Sequence, residues 1–152
     1  MHMAHTYASL LFHCVFSTKG RRPWLTEEVR DRLWPFMGGI AREKGFVALS
    51  VGGTEDHAHM LVSLPTTLAV AKAVQLVKAG SSKWVSRTFP ELRRFEWQEG
   101  YGAFSISVSH KPATVAYIQS QMKHHHRKTY KEEYIEFLEK HQVEYDKRYV
   151  WD

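Results

Sequence analysis

The sequence predicts an α+β fold, a β-α-β-β-α-β sandwich of the ferredoxin-like kind followed by further helices. Three observations lead there. Strand-like runs recur at residues 7–17, 46–51, 57–64 and 101–108, the first and last alternating cleanly between two faces, as a strand with one buried face must. Stretches that are apolar on one side only separate the first run from the second and the third from the fourth, as helices packing on a sheet require. The second and third runs are joined by no more than Gly52-Gly53-Thr54-Glu55-Asp56, a connection of hairpin length.

In the first run, Ala8, Leu10, Phe12, Cys14 and Phe16 share one face, and Tyr7, Ser9, Leu11, His13, Val15 and Ser17 share the other. A basic turn, Lys19-Gly20-Arg21-Arg22-Pro23, follows. Thr26 before Glu27 and Glu28 is a helix start: a hydroxyl to cap the first amides, and acids at the positive end of the dipole. That helix is expected to reach about Lys44 and stop at Gly45, with Val29, Leu33, Phe36, Met37 and Ile40 as its apolar face. A second helix is expected over 68–87, with Val70, Val74, Val77 and Ser81 inward and Trp84 and Val85 near its end. Phe89-Pro90 closes it, and an aromatic, charged loop at 93–100 leads to the fourth strand. Pro112 opens a third helix, expected to run to about Lys128; a fourth covers 131–141, before an aromatic tail.

Composition excludes several classes. With 152 residues and 43% hydrophobic content, the chain is large and apolar enough for one domain with a real core. No apolar run approaches the roughly 18 residues of a membrane span, and the first residues lack a signal-peptide pattern. The single cysteine, Cys14, forms no intrachain disulfide; it lies on an apolar strand face and reads as a buried structural thiol in a reducing compartment, consistent with the cytoplasm. A net charge of +5 with ten histidines uncounted leans towards a polyanionic partner.

The chemistry is concentrated in two places. On the third strand, His57 and His59 are two residues apart and project to one face, while Ala58, Met60, Val62 and Leu64 face the other way. Two adjacent imidazoles suit a metal; a solvated strand face is the plainer account. On the third helix, at about 100° per residue, Gln121, His124 and Lys128 fall near the direction of Tyr117, opposite an apolar stripe of Val115, Ile118 and Met122. A phenol and an amide one turn apart reach a common point.

In these residues the chain resembles the HUH single-tyrosine transposases of small bacterial insertion sequences and their REP-associated relatives. His57-Ala58-His59 is similar to the HUH motif. Tyr117-Ile118-Gln119-Ser120-Gln121 is similar to that family's tyrosine helix, in which the nucleophile precedes a metal-binding glutamine by four residues. The stretches Phe16-Ser17-Thr18-Lys19-Gly20-Arg21-Arg22-Pro23 and Trp97-Gln98-Glu99-Gly100-Tyr101-Gly102-Ala103-Phe104-Ser105 resemble family segments as well. The departures are Glu55 where the family often has proline and Ala58 where valine is common.

The resemblance implies one transposase domain over 1–152: a ferredoxin-like core at 1–109, the tyrosine helix at 110–129, and a C-terminal helix and tail at 130–152. It implies Tyr117 as nucleophile on single-stranded DNA with hairpin ends, and His57, His59 and Gln121 as ligands of Mg²⁺ or Mn²⁺. It also implies a homodimer whose tyrosine helices complete one another's sites, with Ser109-His110-Lys111 as hinge. A DNA-binding protein that has lost transposition, and a metallophosphoesterase using water as nucleophile, are the alternatives.

Around this centre, Lys19, Arg21, Arg22, Lys78, Ser82, Lys83 and His124 are candidate DNA contacts, with Trp24, Trp84 and Trp97 as stacking partners. A solvated basic face is the competing account for each. The run His124-His125-His126 reads as a basic helix end rather than a ligand tract. No residue stands out as the proton acceptor for Tyr117. His13 reads as a satisfied strand histidine that lies near the site if its face is the active one. Asp56 reads equally as a cap or as a group orienting a histidine.

Overall fold

The protein is described here by a computed structural model covering residues 5–122, 128–148 and 150–151. In chain order it contains β1 (Leu11–Ser17), α1 (Glu27–Glu43), β2 (Val47–Gly53), β3 (His57–Ser63), α2 (Val70–Thr88), β4 (Gly102–Ile106), α3 (Lys111–Gln119) and α4 (Tyr130–Lys140). The strands form one antiparallel sheet in the order β2-β3-β1-β4, which is the predicted ferredoxin-like topology.

The expected signals set the helix ends. The Thr26 side chain accepts from the Val29 amide, and Glu27 and Glu28 occupy the first turn of α1. Gly45 follows that helix at φ +88°, a conformation that a residue with a Cβ rarely adopts. The main core lies between the sheet and the α1–α2 pair. Cys14 and Phe16 of β1 and Ala58, Met60 and Val62 of β3 meet Val29, Leu33, Met37, Val74, Val77 and Val85 there. Full burial of each large apolar side chain contributes about 1.5–3 kcal/mol. Cys14 is buried as expected, and burial pushes its thiol up to about 12.

Three expectations are corrected. The first strand starts at Leu11 rather than near Tyr7; its partner β3 ends at Ser63 and Leu64 leads into Pro65, which has no amide to donate. The tyrosine helix does not run unbroken to Lys128: α3 ends at Gln119, and Ser120 leaves helical geometry at φ −104°, ψ 21°. The apolar stripe of that helix is not uniformly inward, because Ile118 is buried while Met122 is exposed.

The other face of the sheet is covered as well. Ile118 of α3 packs with Leu11 and Leu61, and Tyr130, Tyr134 and Leu138 of α4 pack with Val15 and Phe104. The histidine face of β3 is thus an interior surface. Gly52 lets α3 come so close. A Cβ at Gly52, which pairs with His59 across the sheet, would lie 2.5 Å from the Ile118 carbonyl oxygen. Gly52→Ala therefore has to push back the helix that carries Tyr117. The expected result is a loss of roughly 1–3 kcal/mol in denaturant unfolding, with a loss of activity larger than the fraction unfolded explains; wild-type unfolding and activity would refute it.

Candidate active site

β3 aims His57 and His59 at one point. Both imidazoles are buried, and each has its Nδ1 already engaged. His57 Nδ1 lies 2.7 Å from Asp56 Oδ1 and 3.0 Å from Thr54 Oγ1, and the Thr54 hydroxyl donates to the same Asp56 oxygen. His59 Nδ1 lies 2.7 Å from Nε2 of His13, which sits on neighbouring β1. These partners orient the rings and leave both Nε2 atoms facing inward. Asp56 therefore both closes the turn and orients a histidine. His13 is a satisfied strand histidine and also a direct neighbour of the site.

The inward nitrogens converge on a residue the sequence reading missed. Glu133 Oε1 lies 2.9 Å from His59 Nε2 and 3.4 Å from His57 Nε2, and its other oxygen accepts a hydrogen bond from the Tyr117 hydroxyl. Gln121 is buried, with Oε1 3.1 Å from His57 Nε2 and its amide nitrogen 3.4 Å from the Tyr117 carbonyl. His57, His59 and Glu133 present ligand atoms within 4.8 Å of one another. Two imidazoles, a carboxylate and an amide oxygen form a mixed nitrogen and oxygen donor set that fits a divalent cation such as Mn²⁺ or Mg²⁺.

Burial opposes charge on His57, but hydrogen bonds and charge from Asp56 and Glu133 raise it to about 9. Burial lowers His59, more than its Glu133 hydrogen bond raises it. Burial, with His59 beside it, puts His13 well below its ordinary value. Burial pushes the Glu133 carboxyl up, yet the two imidazoles outweigh it and hold the group well below the usual carboxylate range. Burial and the Glu133 charge push the Tyr117 phenol far up.

These shifts have a consequence for cation uptake. A protonated His57 cannot ligate through Nε2, so a cation must displace its proton. Apparent Mn²⁺ affinity is expected to rise with pH up to about 9, where His57 loses its proton, and to level off above it. Calorimetric titration in two buffers of different ionisation enthalpy would detect the proton released. Affinity that is flat with pH, with no proton release, would contradict this.

The candidate DNA contacts are dispersed. The Lys78 ammonium donates to the carbonyls of Gln98, Glu99 and Gly100 at 2.6–3.0 Å, and Ser82 donates to the Phe95 carbonyl. Both thus hold the 93–100 loop. Lys19 pairs with Glu96, Arg21 lies over Trp151, and Arg22 lies over Trp24; Arg22 and Lys83 are exposed. Trp97 is corrected from a stacking partner to a core residue: it is buried and its indole donates to Ser81. Trp84 is half-buried and stacked on Phe36. His124, with His125 and His126, lies outside the described residues.

Residues 6–121 match the family model described as "Transposase IS200 like". The chain belongs to the IS200-like transposase family. Transposases of insertion sequence IS200 from Salmonella typhimurium LT2 and from Salmonella typhi are each 27% identical to it over 127 residues, 80% of either chain. A candidate transposase from Deinococcus radiodurans R1 has a similar fold: TM-score 0.65, 24% identity, 80% of this chain and 98% of that one covered. A REP-associated tyrosine transposase bound to a REP hairpin also shares the fold, with TM-score 0.58, 16% identity and coverage of 82% and 74%.

The IS200-like match ends at Gln121, so Glu133 and all of α4 lie beyond it. Motif matching alone therefore passes over the carboxylate. One signal was present in the sequence: Glu133 is an acid within the stripe that Tyr130, Tyr134 and Phe137 make on α4, and an acid among inward-facing residues needs a partner. Within this single chain α3 carries Tyr117 to the chain's own His57 and His59.

Proposed function

We propose that this transposase cleaves and rejoins single-stranded DNA at insertion-sequence ends through a 5′-phosphotyrosine intermediate. The observation that supports this most directly is that one carboxylate links the Tyr117 phenol to both inward histidine nitrogens. The nucleophile and the candidate cation site are therefore adjacent. The REP-hairpin complex of a fold relative supports DNA with hairpin ends as the partner. Among the described residues no helix is long and apolar enough to cross a membrane.

In this reading the Tyr117 oxygen attacks phosphorus and the bond from phosphorus to the 3′ oxygen breaks. The new phosphotyrosine conserves the energy of the broken diester, so rejoining needs no nucleotide cofactor. The departing 3′ oxygen takes a proton and becomes a hydroxyl. The phenol is oriented by the hydrogen bond that Glu133 accepts; its proton leaves to solvent as the new bond forms and balances the one taken up by the 3′ oxygen. His57, His59, Glu133 and Gln121 would hold Mg²⁺ or Mn²⁺, which supplies positive charge for the phosphate oxygens and offsets the carboxylate beside the phenol. Asp56, Thr54 and His13 hold the imidazoles in place.

The test uses labelled single-stranded oligonucleotides from the two flanks of the gene, incubated with the protein and Mn²⁺ and resolved under denaturing conditions. The expected product is a covalent protein–DNA adduct with a free 3′ hydroxyl on the released strand. A gel shift without an adduct would mark a binding protein that does not transpose. Multiple-turnover cleavage without an adduct would mark a hydrolase using water.

A further inference from the structure

Beside the Tyr117 phenol lies a cavity of about 890 Å³, bounded by the end of β4, the first turns of α3, and α4. Its volume falls within the roughly 300–1,000 Å³ of sites that enclose small ligands. Tyr117 and Glu133 line it, as do Ile106, Phe137, His141 and Lys140. The half-buried Phe137 ring stands 5.9 Å from the Tyr117 ring, edge to face. Anything seated against Phe137 is therefore next to the reacting oxygen.

The lining suits a base better than a phosphate. Ile106 and Phe137 are apolar, Glu136 is paired with Lys128, and Glu133 and Lys140 balance one another in charge, so the lining offers no net positive charge for a second phosphate. The partly exposed His141 ring adds an aromatic surface and a polar edge. Its Nδ1 lies 3.0 Å from the Phe137 carbonyl and donates to it, so in the neutral ring Nε2 is an acceptor. Aromatic stacking with one hydrogen-bond acceptor is how single-stranded bases are held and told apart.

We infer that this cavity receives the base of a nucleotide flanking the scissile phosphate, turned out of the strand and seated against Phe137 and His141. The occupant preferred is a base that presents an amino group to His141 Nε2. This rests on the phosphotyrosine reading above. It adds that base choice beside the cleaved bond is made by α4, downstream of the matched family segment.

The experiment is adduct sequencing with the full chain and Mn²⁺. Gene-flank oligonucleotides are randomised over the positions around the joint, covalent adducts are captured, and the attached and released strands are read. Wild-type protein is expected to prefer an amino-bearing base, on the order of tenfold, at one flanking position. In His141→Ala that preference should flatten while preferences elsewhere persist, and Phe137→Leu should weaken it too. The exposed ring edge of His141 makes its alanine variant the safer of the two for folding. Identical profiles for wild type and His141→Ala would overturn the inference. An absence of adducts from wild-type protein would instead overturn the phosphotyrosine reading, and the cavity's occupant with it.

Discussion

Tyr117→Phe is expected to abolish the covalent adduct while leaving hairpin DNA binding intact. The substitution removes one oxygen from a half-buried ring. The ring keeps its edge contacts with His13, His59 and Phe137, so the fold and the DNA surface lose little. What disappears is the only atom that forms the new bond to phosphorus. Loss of a nucleophile lowers the rate on the order of 10⁴-fold or more, below detection in a gel assay. The measurement pairs denaturing gels for the adduct with anisotropy for binding. An undiminished adduct would refute the assignment; binding and adduct lost together in a protein that melts early would contradict the expectation that the fold and the DNA surface lose little.

Glu133→Gln is the second large effect. Glutamine keeps the size and one acceptor oxygen but removes the charge. The wild-type carboxylate contacts both inward nitrogens and the phenol, so the change strikes two functions. A cation loses its anionic ligand, and Mn²⁺ affinity is expected to fall roughly 10–100-fold. At saturating Mn²⁺ the phenol still lacks the charged acceptor that orients its oxygen, and adduct formation is expected to fall about 100-fold, which corresponds to about 2.7 kcal/mol of barrier. The folded protein should also report the change directly. Glu133 is one of the two acids that raise His57 to about 9, so the His57 titration followed by NMR should move down. Adduct formation equal to or faster than wild type would show that the carboxylate only blocks the site.

The second prediction depends on α4, and the role of α4 marks the boundary of what the sequence disclosed. Local periodicity placed the four strands and the two sheet-packing helices, because each is decided by which face of a short segment is apolar. The Thr26 cap and the Gly45 stop were readable for the same local reason. His57 and His59 shared a face by strand geometry alone. Tyr117 and Gln121 stood one helical turn apart in sequence, and the pair survives although Ser120 breaks the helix between them, because both side chains are drawn to the same buried cluster.

The roles of single polar residues were not readable in this way. Lys78 reads as a candidate DNA contact because it lies on the basic side of its helix; that its ammonium also holds three loop carbonyls is visible only in the structure. Trp97 looked like a stacking ring and is a core residue with its indole on Ser81. In both cases the partner lies about 16–22 residues away in sequence, and no local pattern announces it.

By itself the sequence determined the β-α-β-β-α-β order, the shared face of the two histidines and the neighbourhood of Tyr117 and Gln121, since these follow from backbone periods of two and 3.6 residues. Only the tertiary structure decided that the histidine face is interior and that Glu133 closes the cluster. Glu133 stands 74 residues beyond His59. Long-range contacts of that kind are set by which surfaces remain to be buried once the sheet has formed, and here α3 and α4 bury the face that carries the chemistry.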